Sequence, residues 1–79
     1  MVLWRLDDFE MRGRHFTLYG GGSFVLFEEH GEEAEGLGTI IPKDDGFEVA
    51  VWWRPEVTMI ASTLPEAIRK LVEVADADG

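Results

Sequence analysis

Apolar and polar residues alternate with a period of two along most of the first sixty positions, and then the period changes. Val2–Leu6 reads as a short strand, while Asp7–Arg14, with Phe9 and Met11 alternating against Glu10 and Arg12 before Gly13, is ambiguous. His15–Tyr19 and Ser23–Glu29 form a hairpin pattern joined by Gly20-Gly21-Gly22, where a positive φ carries no steric cost. Glu32–Gly36 reads as an acidic loop and Leu37–Ile41 as a strand, and Pro42-Lys43-Asp44-Asp45-Gly46 supplies an Asp-Gly turn. Phe47–Arg54 is then the longest strand, Pro55 interrupts it, and Val57–Ala61 returns to strand character.

From there Leu64, Ala67, Ile68, Leu71, Val72 and Ala75 recur at helical spacing and share one face. Thr63 with Glu66 three residues on is a capping box, and Pro65 stands in the first turn, where its missing N–H is no loss. Asp76-Ala77-Asp78 places acids at the helix C-terminus, where they oppose the macrodipole, so the tail is expected to fray. The sum is an α+β domain: an antiparallel sheet of about five strands with one C-terminal amphipathic helix on one face.

The strands carry more apolar surface than that helix can cover. Val25 and Phe27 alternate with Phe24 and Leu26, and Val49, Val51 and Trp53 with Ala50 and Trp52. A helix of about three turns is roughly 18 Å long and shields about three strands of one side. The remaining apolar surface must curl over itself, pair with a second copy of the chain, or meet a partner. Adjacent on a strand, Trp52 and Trp53 would point to opposite faces, and an exposed Trp52 would be a binding anchor.

Composition narrows the partner. The 79 residues form one domain, too small for a deep enzyme cleft, and 16 Asp+Glu against 7 Lys+Arg leave a formal charge of −9. Nucleic acid and anionic membranes, which are bound through Lys and Arg, are disfavoured as direct partners, and a basic protein surface is favoured. Without cysteine there is no disulfide or thiolate metal site, and with no leader or membrane span in view the expected location is the cytoplasm.

Glu28, Glu29, Glu32, Glu33 and Glu35 crowd five carboxylates into a short stretch broken by His30, Gly31 and Ala34. They form either a solvated loop or a polyanion mimic, since carboxylates at i and i+2 of an extended chain repeat every ~6.7 Å, near the spacing of successive phosphates. Asp44 and Asp45, with Asp7, Asp8, Glu10 and Glu48, extend the row if the fold gathers them. Arg5, Arg12 and Arg14 make a small basic spot that either reads a carboxylate on a partner or pairs with the nearby Asp7, Asp8 and Glu10, and local pairing is the favoured reading. His15 and His30 lack HxH or HExxH spacing, the glutamates lack the Asp-x-Asp-x-Asp-Gly order of a calcium loop, and the glycine triplet lacks the pattern of a phosphate loop. Ser23 and Ser62 have no recognisable base partner. No catalytic residue, metal ligand or cofactor is expected.

Two resemblances add to this. Asp45-Gly46-Phe47-Glu48-Val49, followed by a strand and then Ser62-Thr63-Leu64-Pro65-Glu66-Ala67-Ile68, resembles the later half of HicB-type antitoxins. That likeness implies a partner-binding or self-associating module with no catalytic activity. In profile rather than motif, a small, acidic, cysteine-free chain resembles phage-encoded anti-CRISPR inhibitors. This second likeness implies docking on the basic nucleic-acid-binding surface of a CRISPR effector of type I Cascade kind, blocking target DNA, with Glu28, Glu29, Glu32, Glu33, Glu35, Asp44, Asp45 and Trp52 as the candidate contacts.

Overall fold

Six consecutive hairpin-linked strands and one helix make up the computed structural model, which describes residues 4–78. The strands are β1 (Trp4–Met11), β2 (Arg14–Gly20), β3 (Phe24–His30), β4 (Glu33–Lys43), β5 (Gly46–Val51) and β6 (Arg54–Ala61), and the helix is α1 (Leu64–Asp78). They pair in chain order, every neighbour antiparallel, so the sheet is an uninterrupted meander with β1 and β6 at its edges. The fold is α+β as the periodicity implies, with one strand more than the expected count. Val2 and Leu3 of the first expected strand lie outside the described residues.

The extra strand resolves the ambiguous segment. Arg12 and Gly13 both have positive φ, 56° and 75°, and Met11 faces Arg14, the geometry of a two-residue type I′ hairpin. Gly13 therefore turns the chain between two paired strands rather than ending one.

Two further expectations are corrected. The acidic stretch is not a loop: Gly31-Glu32 is the whole turn, with Gly31 at φ 67°, and β4 begins at Glu33. Charge reports that side chains meet water and leaves the backbone free to pair. The segment Phe47–Arg54 is not one strand either. β5 ends at Val51, the chain turns through Trp52-Trp53, and β4 is the longest strand at 11 residues. That turn contains no Gly, Asn or Asp to announce it; it is held by the Trp52 N–H donating to the Leu37 carbonyl at 3.0 Å and by anchoring of both indoles. Pro55 is accommodated because β6 is an edge strand.

Phe16, Leu18, Leu26, Ile40, Val49 and Val51 bury one sheet face against Ala67, Leu71, Val72 and Ala75, while Leu64 and Ile68 complete the helix stripe partly buried. The helix lies over β4, β5 and β6. Gly38 permits this approach: a Cβ there would collide with the Ala50 carbonyl and lie 3.0 Å from a Leu71 methyl. At the start of α1 the Glu66 N–H donates to Thr63 Oγ1 at 3.2 Å, and Glu66 accepts from the Ser62 N–H at 2.6 Å, so the returning arm of the box lands one residue before the N-cap.

The helix continues through the acidic tail to Asp78. Asp76 is bridged by Arg12 at 3.1 Å and Arg14 at 3.5 Å, and Asp78 accepts from Trp53 Nε1 at 2.7 Å and from Arg54 at 2.9 Å. The acids that oppose the macrodipole are countered by arginines from the β1–β2 and β5–β6 hairpins, which bring positive charge to the helix C-terminus.

Leu71→Ala is expected to cost about 2–5 kcal/mol, and Gly38→Ala about 1–3 kcal/mol by driving a methyl into the Ala50 carbonyl of β5 and crowding Leu71. Urea unfolding of both variants checks this; a Gly38→Ala protein as stable as the parent contradicts the close approach.

Candidate functional site

Strand alternation decides where each carboxylate goes. Glu28 faces Glu35 across the β3–β4 pair, His30 faces Glu33, and Glu29 faces Ala34. Glu28, His30, Glu33 and Glu35 therefore share the sheet side that carries the helix, while Glu29 belongs to the other side, where Thr17 Oγ1 donates to it at 2.6 Å. Glu32 sits in the turn. Exposed carboxylates remain at Glu32, Glu33 and Glu35, but Glu28 is withdrawn: its side chain is 4% exposed. Asp44 and Asp45 occupy the β4–β5 turn at the opposite end of β4, about 33 Å from Glu33 at 3.3 Å per residue, so they join no common surface with the glutamates.

What holds Glu28 is Arg14. Nε donates to Oε2 and Nη2 to Oε1, both at 2.7 Å, a bidentate fork across β2 and β3. The hydrogen bonds to Glu28 hold the Arg14 guanidinium pKa above its ordinary value against the opposing effect of burial, with Asp76 adding to the rise. The arginines thus serve partners other than the neighbours expected of them. Only Arg5 pairs locally, with Asp8, while Arg12 reaches Glu73 and Asp76, and Arg14 reaches Glu28 and Asp76.

His30 Nε2 lies 3.7 Å from both Glu28 Oε1 and Glu35 Oε1. Among the described residues, these three bring donor atoms within 4.8 Å of one another, close enough to share a cation. Arg14 already engages both oxygens of Glu28, so that carboxylate is satisfied by the protein itself.

Beside this cluster the β1–β2, β3–β4 and β5–β6 hairpins and the helix C-terminus meet at one end of the molecule. They enclose an open cleft of about 390 Å³ lined by Arg14, Glu35, Leu37, Trp52, Trp53 and Asp78 among others. The two tryptophans do point apart, although from a turn and not from a strand. Trp52 lies over Gly36, where a Cβ would overlap its ring, donates from Nε1 to Thr39 Oγ1 at 2.8 Å, and meets Phe27 edge-on at 5.9 Å. Trp53 turns to the helix end and Asp78. Both remain partly in water, 48% and 40% exposed.

Trp52 also ends an aromatic row on the sheet side without the helix, since Phe27 meets Tyr19 edge-on at 5.5 Å. Of the residues expected to carry function, Glu35 and Trp52 meet at the cleft, with Glu32 and Glu33 at the neighbouring hairpin tip. Arg14 and Asp78 were not foreseen there. The signal in the sequence is Gly36: read there as the end of a loop, it lies inside β4, where a glycine marks the close approach of another group to the backbone.

Glu28→Gln keeps the shape of the side chain and removes its charge, and is expected to destabilise the fold by about 1–3 kcal/mol. Glu33→Gln, exposed at the tip, is expected to stay within about 0.5 kcal/mol of the parent. Denaturant titration of the two variants side by side checks the contrast, and equal stabilities contradict the role given to the fork. No family model, no curated protein and no solved structure matches the chain.

Proposed function

We propose that this chain is a non-catalytic, acidic protein-binding inhibitor that docks on the basic nucleic-acid-binding surface of a partner complex. The supporting observation is the clustering, at one end of the fold, of exposed Glu32, Glu33 and Glu35 beside a cleft holding two half-exposed tryptophans. Carboxylates in this setting steer and orient a cationic partner, and partly exposed tryptophans supply the apolar contact that charge alone lacks. The mechanism is occlusion: the acidic end occupies the surface on which nucleic acid would lie. The profile resemblance to anti-CRISPR proteins makes a type I CRISPR effector the partner class to test first.

A second reading rests on a different observation. The Tyr19–Phe27–Trp52 row and Ile60, 65% exposed, leave the sheet side without the helix partly apolar, which suits pairing with a second copy in the manner of an antitoxin-like assembly module. Light scattering separates the two readings. A monomer supports the inhibitor, and a dimer that Trp52→Glu converts to monomer supports the assembly module.

For the first reading, the triple variant Glu32→Lys, Glu33→Lys, Glu35→Lys is expected to weaken binding to a purified effector complex by at least about 100-fold. The parent's association rate is expected to fall as salt rises, because steering is screened beyond about 8–10 Å. Surface plasmon resonance across a salt series measures both, and undiminished binding by the triple variant overturns the reading.

A further inference from the structure

We infer that the cleft at the hairpin end accepts an arginine side chain of the partner protein, its guanidinium laid against the Trp53 ring and forked onto the Glu35 carboxylate on the helix side of the sheet. The inference rests on the reading of a basic partner and names the group that partner would insert.

The charges at the cleft select a cation. Arg14 lines it, but its guanidinium is matched by both oxygens of Glu28 and by Asp76, and Arg54 beside it is matched by Asp78. Neither arginine is left to attract an anion. Glu35 differs: its side chain is 67% exposed, and the Nε2 of His30 lies 3.7 Å from its carboxylate. Among the described residues no side-chain hydrogen bond occupies its oxygens, so its carboxylate is free to receive a donor from outside.

The aromatic wall then chooses between the two cationic side chains. A cation against tryptophan gains from the ring quadrupole, and a planar guanidinium adds stacking and a bidentate fork that an ammonium lacks. Trp53 is held for that role by Asp78, so its ring is oriented before anything binds, while Trp52, held by Thr39 and Phe27 on the other side of the sheet, serves as an internal reference. Leu37 contributes apolar surface to the lining for the methylene stem, and about 390 Å³ is ample for one side chain.

The test uses the full chain labelled with ¹⁵N and three capped tripeptides of the form Gly-X-Gly, with X arginine, lysine or norleucine, alongside polyarginine as a probe of the whole acidic end. The arginine peptide is expected to shift the indole N–H resonance of Trp53 saturably and more than that of Trp52, the norleucine peptide to leave both unmoved, and the lysine peptide to act more weakly. Glu35→Gln is expected to weaken the arginine peptide by about five-fold, as loss of about 1 kcal/mol of charge interaction implies. The exposure of Glu35 keeps folding out of the comparison.

Equal responses to arginine and norleucine, or to arginine and lysine, overturn the assignment. So does polyarginine binding that leaves the Trp53 indole unmoved and is indifferent to Glu35→Gln, an outcome that spares the wider reading of a basic partner. Failure of polyarginine to bind at all removes the wider reading, and the arginine cleft with it.

Discussion

The organisation of this small domain depends on the fork between Arg14 and Glu28. Both residues face the helix side of the sheet, at its hairpin end, where the apolar core gives way to charge. Arg14 fastens β2 to β3 through two bonds of 2.7 Å and reaches on to Asp76 of the helix. Two adjacent strands and the distant helix are tied at one guanidinium. A buried pair of this kind is not strong evidence of stability, because desolvation of both charges opposes their attraction. Its effect lies in position. It withdraws one glutamate from the acidic stretch, gives the helix C-terminus a cation, and makes the rim on which Glu35 and the tryptophans stand.

That rim explains how a chain of formal charge −9 stays closed at its most acidic end. Helix carboxylates at Glu73, Asp76 and Asp78 would repel one another and oppose the helix dipole, yet Arg12, Arg14 and Arg54 arrive from two hairpins to meet them. Individually such half-exposed pairs contribute little. Together they commit three of the chain's seven Lys and Arg residues to the helix end, and the carboxylates at the β3–β4 tip are left facing outward. The acidic surface is the remainder after internal pairing, and its location follows from where the arginines are used.

Most of the fold was legible because it rests on periodicity. The helix, its cap and its buried stripe of Ala67, Leu71, Val72 and Ala75 follow from spacing alone, as do the β2–β3 hairpin and the Asp44-Asp45 turn. What escaped were features fixed by contacts distant in sequence. The Trp52-Trp53 turn has strand-like residues and is made a turn by Leu37, Thr39 and Asp78. The paired helix tail depends on arginines roughly sixty residues away. The acidic row looked continuous in sequence, but alternation sends Glu29 to the opposite side and burial removes Glu28, a division that needs the register to be seen.

The two tryptophans show the same logic at the scale of single side chains. An indole left half in water forfeits burial that a domain of this size can ill spare, and the core had other places for large groups. Each ring is instead pinned by its N–H, one to Thr39 and one to Asp78, and Gly36 is kept bare so that Trp52 can lie flat over the backbone. Stability alone does not call for two oriented, partly exposed rings near an exposed carboxylate. The arrangement makes physical sense as a surface prepared in advance, where the conformational entropy of the binding groups has already been lost on folding and need not be lost again when a partner arrives.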